Sequence, residues 1–372
     1  MRVGIDASPL YMRKSGISSY LESLLQAFEE RKDGHTFVLY SNRPLPPGRF
    51  ETPPFRRRLV RLPLPRLQAW FQLGLPLRMA RDSIDVFLGV FHRLPLLATV
   101  PTVLVVHDLS GLLMRGLHTG HVVARDSLMP LFVRKASRIL SVSGFTAGEV
   151  VRRFPSVRGR VDVAPEAAAS NMVPVDDPER CGEVRRRLSL PRRYILFLGT
   201  LEPRKNLPGL IRAYSSVADR MEQDLVLAGS MGWKSSELRR ILGDSPVGDR
   251  VHLTGFVEDD DLPVLISMAD LMAYPALYEG FGLPVVEAMA CGTAVLTSSV
   301  SSLPEAAGGA AHLVDPTRED DIAEGLLRLA ADPEMRADLE RRGLKRVRGL
   351  SWSATAGLTL ETCRLAVHGS RG

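Results

Sequence analysis

The feature that most constrains this chain is a rhythm. Short apolar runs of strand length alternate with stretches of helical periodicity along its whole length. Arg2–Ala7, His35–Tyr40, Leu59–Leu62, Asp85–Leu88, Thr102–Val106, Ile139–Val142 and Arg160–Val163 read as strands. Between them Ile17–Glu30 places Leu21, Leu24, Leu25 and Phe28 at helical spacing, and Val122–Ala136 and Thr146–Phe154 read as further helices. A second series of strands runs through Tyr194–Leu198, Asp224–Ala228, Arg250–Leu253, Leu271–Ala273, Ala294–Thr297 and His312–Val314. Its helices are expected at Leu207–Ala218, Ser235–Leu242, Asp260–Met268, Leu283–Met289 and Asp320–Ala331. Pro333–Val347 and Trp352–Ala366 close the chain as helices. Continuous apolar strands alternating with helices predict parallel sheets covered on both faces, an α/β architecture.

The 372 residues are too many for one ordinary domain and suit two. The stretch 163–192, rich in Ala, Pro and Asp before it turns charged, reads as a linker followed by a helix at Glu179–Leu188. The domain boundaries are therefore set at 1–166 with 352–372, and 167–351.

Three scattered cysteines, Cys181, Cys291 and Cys363, form no CxxC or Cys/His cluster, so no zinc site or redox pair is expected and a reduced, cytoplasmic setting fits. The opening MRVGIDASPL holds no run of signal-peptide length, and no apolar stretch reaches the length of a membrane span. The net charge of +6 conceals an asymmetry: residues 1–164 carry 24 Lys/Arg against 12 Asp/Glu, and the remainder 24 against 30. A basic first half points to anionic partners or to solvated arginine. The stretch Arg49–Arg81 concentrates eight arginines among Leu64, Leu67, Trp70, Phe71, Leu73, Leu75 and Leu77, a mixture that suits an anionic membrane surface or a core with a basic rim.

Four segments carry candidate chemistry. Tyr278–Gly292 follows a strand and opens a helix. Gly280 and Gly282 let backbone N–H groups approach a ligand, Pro284 suits a first helical turn, and a helix N-terminus favours anions. Glu279 and Glu287 bracket this cradle; they either contact ligand hydroxyls or serve as a cap and a surface helix residue. In Phe197–Leu207, Gly199 and Thr200 end a strand, and Arg204 and Lys205 precede a helix whose dipole disfavours cations there. An anionic ligand, a phosphoryl group above all, accounts for them. Ser15-Gly16-Ile17 enters the first helix, a weak signal by itself. His107 and Asp108 stand at a strand's carboxyl end, where open α/β sheets take ligands, although a buried, satisfied histidine is the alternative. Asp259-Asp260-Asp261 resembles a metal motif but is expected to cap and charge a helix start.

Together these segments resemble the retaining glycosyltransferases of family 4, which have the GT-B fold. The resemblance runs in order through "VGIDASPLYMRKSGISSYLESLL", "VVHDLSG", "LSVSGFTAGEVVRRF", "ILFLGTLEPRKNLPGLIRAY" and the segment from "VHLTGFVEDDD" to "AAHLVDP". It implies two Rossmann-like domains facing a deep interdomain cleft, with the final helix crossing back to the N-terminal domain. It implies that Arg204 and Lys205 bind the donor diphosphate, and that Glu279 contacts the transferred sugar. The amides of Gly280, Phe281, Gly282 and Leu283 would cradle sugar and phosphate, with Gly199 and Thr200 on the donor side. Glu287 would hold the ribose hydroxyls and Phe256 and Val257 would pack the nucleobase. Gly16 would lie near the diphosphate and His107 beside the sugar. Two departures stand out: "SGISSY" is less glycine-rich than most such loops, and Gly144 occupies a place where a polar or acidic residue is common.

The implied activity is metal-independent, cofactor-free, retaining hexosyl transfer from a nucleotide diphosphate sugar to a saccharide or lipid-linked acceptor in cell-envelope polysaccharide synthesis. The pairing of "GTLEPRKN" with "EGFGLPVVEAMACG" leans towards GDP-mannose. Alternatives of the same fold are a nucleotide-sugar epimerase or a sugar phosphorylase. The non-enzyme alternative is a basic nucleic-acid or membrane-binding module, although no nucleic-acid motif or aromatic array is present and no nucleic-acid partner is expected. A nicotinamide dehydrogenase is disfavoured because "GIDASPLYMRKSG" lacks G-x-G-x-x-G.

Overall fold

The computed structural model describes residues 1–12, 15–61, 70–233, 240–243 and 247–369. The expected helix Ser235–Leu242 falls largely outside these residues. So do Leu62, Leu64, Arg66 and Leu67 of the basic stretch and the last three residues of the expected C-terminal segment.

The chain divides into two compact units. The first comprises 1–115, 120–166 and the chain from Trp352 onward; the second comprises 116–119 and 167–351. The helix Trp352–Gly369 thus belongs to the first unit, where Thr355 Oγ1 donates to the Pro165 carbonyl at 2.5 Å.

The first unit contains a seven-stranded sheet built from β1 (Arg2–Asp6), β2 (Thr36–Ser41), β3 (Phe55–Leu59), β4 (Val86–Gly89), β5 (Thr102–Val106), β6 (Arg138–Ser141) and β7 (Val161–Val163), in the order β3-β2-β1-β4-β5-β6-β7. The second contains β8 (Tyr194–Leu198), β9 (Asp224–Ala228), β10 (Val251–Gly255), β11 (Leu271–Tyr274), β12 (Val295–Ser298) and β13 (His312–Val314), in the order β10-β9-β8-β11-β12-β13. Every pairing is parallel. In both sheets the chain runs outward one way, returns to the centre, and continues the other way. This doubly wound order creates a switch point between β1 and β4 in one sheet and between β8 and β11 in the other, the place where such sheets take ligands.

Burial explains the apolar runs. Every residue of β5, β8, β11 and β12 is buried, as strands covered on both faces must be. The second unit's core gathers Tyr194, Phe197, Leu227, Leu265 and Met272 with the helix residues Leu210, Val285 and Leu326. In the first unit Val38, Phe71, Phe87, Leu104 and Phe132 pack on one face of the sheet.

Several expectations need correction. The strand placed at Leu59–Leu62 lies at Phe55–Leu59. It is an edge strand, and Arg56, Arg57 and Arg58 tolerate this place because charge on an edge discourages further pairing. The single helix expected over Val122–Ala136 is two, Gly120–Asp126 and Met129–Lys135. Pro130 suits the first turn of the second and cannot continue the first. The helix expected from Asp260 begins at Leu262. Asp261 holds its N-cap position without capping it, because its carboxylate pairs with Arg187 at 2.5 Å. Within the basic stretch, Trp70, Phe71 and Leu75 are core, while Leu73 and Leu77 are exposed. Arg57 pairs with Glu51, and Arg58 and Arg78 with Asp82, so part of the positive charge is answered locally.

Candidate active site

The switch point of the second sheet brings two expected segments together. β8 ends at Leu198, and Gly199 leaves it at φ +139°, a backbone conformation that favours glycine. The chain then makes a short 3₁₀ turn at Pro203–Lys205 and enters the helix Leu207–Ser215 through Asn206. β11 ends at Tyr274, and the loop after it enters the helix Leu283–Ala290 through Gly282 at φ +109°. The φ of Gly282 disfavours any other residue at this N-cap, and a Cβ there would also lie 2.7 Å from Leu303 Cδ2, which would have to shift.

Arg204, Lys205 and Glu279 meet between these loops. Arg204 Nη1 lies 2.7 Å from Glu279 Oε2, and Lys205 Nζ donates to Glu279 Oε1. Arg204 also donates to the Tyr278 carbonyl at 2.6 Å and to Glu202 Oε1 at 2.8 Å. The Leu277 amide donates to the Arg204 carbonyl at 3.0 Å, which ties the two loops together by backbone as well as charge. Glu202, Lys205 and Glu279 are all buried. Burial alone would raise the Glu279 carboxyl; Arg204, then Lys205, and the hydrogen bonds from Lys205 and Tyr274 outweigh it and bring the group from 4.5 down to about 2.

This geometry changes the reading of the basic pair. An external anion is not needed to explain Arg204 and Lys205, because Glu279 and Glu202 already answer them inside the protein. It also settles that Glu279 is not the helix cap, since Gly282 takes that position. Glu287 is half-buried on the Leu283–Ala290 helix. Gly280 and Phe281 are buried in the loop, Leu283 is half-buried and Thr200 exposed. Phe256 stands half exposed just past the end of β10 and Val257 beside it is buried.

Sequence reasoning missed the supports of this loop. Ser302 Oγ lies 2.8 Å from the Glu279 carbonyl and 2.9 Å from the Phe281 carbonyl, and Ser301 Oγ accepts the Glu279 amide at 3.2 Å. Both serines precede a five-residue helix, Leu303–Ala307, too short to announce itself by periodicity. Tyr274 and Glu202 were missed for another reason: a tyrosine inside an apolar strand and a lone acid before a proline carry no pattern.

In the first unit Gly16 and His107 lie on elements following the carboxyl ends of β1 and β5. Gly16 is the first residue of the Gly16–Arg31 helix, which Ser15 and Ser18 cap reciprocally. Among the described residues, nothing beyond its chain neighbours and its own helix backbone lies within 4 Å of where its Cβ would be, so these do not demand glycine there. His107 is buried with both ring nitrogens engaged: Nε2 is 3.0 Å from the Val90 carbonyl and Nδ1 is 3.3 Å from Glu166 Oε1. Its amide donates to His92 Nε2 at 2.9 Å. Asp108 accepts from the amide and hydroxyl of Ser110, at 2.8 and 2.7 Å, and so shapes the turn that follows. His92, missed by sequence, is buried at φ +50°. Burial, then the neighbouring His107, pushes it down to about 3.

Among the described residues no group of three or more His, Cys, Asp or Glu side chains is placed to hold a metal ion, and no helix is long and apolar enough to cross a membrane.

Comparison with known proteins agrees with this geometry. The "Glycosyl transferases group 1" model matches residues 183–346 and the "Glycosyltransferase Family 4" model residues 14–167. Between them they account for most of the chain, and the chain belongs to the family 4 glycosyltransferases. It is 36% identical over 233 residues to the O-antigen chain mannosyltransferase B of Escherichia coli, an alignment covering 62% of this chain and 61% of that protein. It is 33% identical over 267 residues to the serotype-specific mannosyltransferase WbdA of the same organism, covering 70% of this chain and 33% of that one. The chain thus spans less than two thirds of either relative. The fold matches that of the sucrose-phosphate synthase of Thermosynechococcus elongatus at a TM-score of 0.77 and 23% identity, over 98% of both chains. It also matches WaaG, a glycosyltransferase involved in lipopolysaccharide biosynthesis, at 0.74 and 15% identity over 97% of this chain and 99% of that one. These two likenesses show a GT-B fold with two parallel-sheet α/β domains.

The depressed carboxyl of Glu279 gives a pH test. Its folded value of about 2 lies below the ordinary 4.5, so its contribution to stability is complete above 4.5 and is lost as the pH falls through about 2. The difference in unfolding free energy between the wild type and Glu279→Gln, from urea melts, is therefore constant above about pH 5 and shrinks toward pH 2. A difference that stays flat over that range shows that the carboxylate is not held by its cations.

Proposed function

We propose that the chain is a retaining hexosyltransferase that takes its sugar from a nucleotide diphosphate donor. The observation that carries this reading is the buried Arg204–Lys205–Glu279 cluster at the switch point of a sheet, beside the N-terminus of the Leu283–Ala290 helix. Cleaving a sugar–diphosphate bond leaves negative charge on the departing phosphate. Two cations held in place, with the amides of Gly280 to Leu283, stabilise that charge without reorganising at the moment of reaction. Glu279 binds hydroxyls of the transferred sugar, Glu287 the ribose, and Phe256 with Val257 the base. Gly199 and Thr200 serve the donor side, and Gly16 and His107 keep their assignments to the phosphate and the sugar. For His107 the engaged ring nitrogens point to action through its placement of neighbouring backbone. Retention follows if the acceptor oxygen attacks from the leaving-group face and its proton passes to the departing phosphate oxygen. The cations already present make a metal unnecessary.

The donor sugar is proposed to be mannose, because the relatives at 36% and 33% identity carry mannosyltransferase names, and GDP is the proposed carrier. The same names support a saccharide or lipid-linked acceptor in cell-envelope polysaccharide such as O-antigen. A screen of GDP-, UDP- and ADP-sugars by thermal shift identifies the donor, since a ligand at 100 times its Kd stabilises by about 2.7 kcal/mol. Release of nucleoside diphosphate only in the presence of acceptor separates transfer from epimerisation. A cytoplasmic enzyme, touching anionic membrane at its periphery, is the proposed setting. For the membrane contact, Leu73, Leu77, Arg49, Arg56, Arg61 and Arg81 are exposed among the described residues of the basic-apolar stretch.

Three outcomes test this reading. Lys205→Ala and Glu279→Ala each lower turnover at least about 100-fold, the loss typical of removing one preorganised donor, with circular dichroism unchanged; a folded Lys205→Ala variant with near-normal turnover removes the site assignment. Turnover survives EDTA; complete loss restored by Mg²⁺ or Mn²⁺ refutes metal independence. Sedimentation with liposomes increases with anionic lipid content and declines with salt; binding indifferent to lipid charge, or absent at low salt, leaves the arginines as solvated surface.

A further inference from the structure

Glu279 Oε1 receives a second donor besides Lys205, from a residue that neither the motifs nor the family resemblance singles out. Tyr274 ends β11 and is fully buried. Its ring stacks on Phe197 of β8, with centroids 5.6 Å apart and planes 18° from parallel, and the Lys205 ammonium sits 4.9 Å from its centre. Its hydroxyl donates to Glu279 Oε1 at 2.6 Å and accepts from Lys205 Nζ. Thr297 Oγ1 donates to the Tyr274 carbonyl at 2.9 Å, which fixes the backbone from the next strand. Burial, then the charge of Glu279, raises the phenol well above its ordinary range, so the hydroxyl keeps its proton and remains a donor.

Resting on the donor-site reading above, Arg204 and Lys205 have two anions to serve. Before donor binds, Glu279 holds both. A diphosphate carries more charge than one carboxylate and draws the cations toward itself. Glu279 would then be a buried carboxylate stripped of partners, which is costly and free to turn. The Tyr274 hydroxyl is neutral, is anchored by the Phe197 stack, and has no reason to follow the phosphate.

We propose that Tyr274 is a positioning residue of the transfer reaction: its hydroxyl keeps Glu279 ionised and aimed at the sugar while Arg204 and Lys205 turn to the donor diphosphate. The tyrosine acts on the sugar only through Glu279, and it contributes to catalysis rather than to holding the nucleotide.

Tyr274→Phe removes the hydroxyl and preserves the ring. It is expected to lower kcat about 10- to 100-fold, the range for losing a hydrogen bond to a charged group. Affinity for nucleoside diphosphate by calorimetry, and KM for the donor, change by less than about threefold because the phosphates rely on the cations. In a Glu279→Gln background the same change costs less than about twofold in kcat, since residues acting as a unit are not additive. A structural role predicts instead equal losses in both backgrounds, or nucleotide affinity falling in step with kcat, and either result overturns the proposal. Wild type that binds no nucleoside diphosphate, or Glu279→Gln with undiminished turnover, overturns the donor-site reading and this inference with it. If Tyr274→Phe does not fold, 3-fluorotyrosine at position 274 keeps the shape and makes the hydroxyl a stronger donor; an unchanged kcat in that protein overturns the proposal.

Discussion

The second unit is organised around a carboxylate that has been taken out of water. Placing Glu279 in the interior costs several kcal/mol, and the buried Lys205 incurs a similar penalty, while Arg204 is half-buried. What makes the burial tolerable is saturation: Glu279 Oε2 faces Arg204 at 2.7 Å, while Oε1 receives Lys205 and Tyr274. The cluster can exist only where two loops emerge side by side from one end of a sheet, and the strand order supplies this. β8 and β11 are neighbours although about 70 residues of chain separate them, so the loops after both leave the same edge in the same direction.

That requirement spreads outward into the backbone. The loop after β8 must pass under the loop after β9, and the two glycines involved are in contact: a Cβ on Gly229 would lie 2.0 Å from the Gly199 carbonyl oxygen. Both adopt a positive φ that disfavours any other residue. The loop after β11 must present Glu279 and yet deliver the chain into a helix four residues later. Ser302 satisfies the Glu279 and Phe281 carbonyls and Ser301 the Glu279 amide, so these buried backbone groups keep partners. A helix start with free N–H groups and a pair of cations then lie close to one another, which is an electrostatic arrangement suited to a phosphate ester.

Much of this was legible beforehand, and the reasons for what was not are physical. Fully buried strands such as Thr102–Val106 and Tyr194–Leu198 appear as unbroken apolar runs, and glycine marks turns, so most strands and the helix entry after Gly282 could be read directly. β3 was misplaced because an edge strand carrying Arg56 to Arg58 has no apolar run to reveal it. The Leu303–Ala307 helix was missed because five residues hold little more than one turn. Arg204 and Lys205 were recognised as a pair, but their shared partner could not be, since Glu279 comes beside them only through the strand order. The same limit hid Tyr274, which as a sequence symbol is one more apolar strand residue.

The first unit solves the corresponding problem with a buried ion pair set among aromatic rings, and His107 belongs to the same arrangement. At the switch point between β1 and β4, Arg93 donates to Asp6 Oδ2 at 2.9 Å and to Ser8 Oγ at 2.8 Å, with its guanidinium 4.2 Å from the centre of the Phe71 ring. His107 grips the same loop one residue away. Its amide binds the ring of His92, and its own ring reaches back to the Val90 carbonyl. The ends of β1, β4 and β5 are thereby stitched into one surface, with Tyr20 of the Gly16–Arg31 helix set edge-on against His107 at 4.7 Å. Both ring nitrogens of His107 are thus engaged at this arrangement of the loop. Its side chain serves to hold the Val90–Arg93 loop and, through Tyr20, the helix that begins at Gly16.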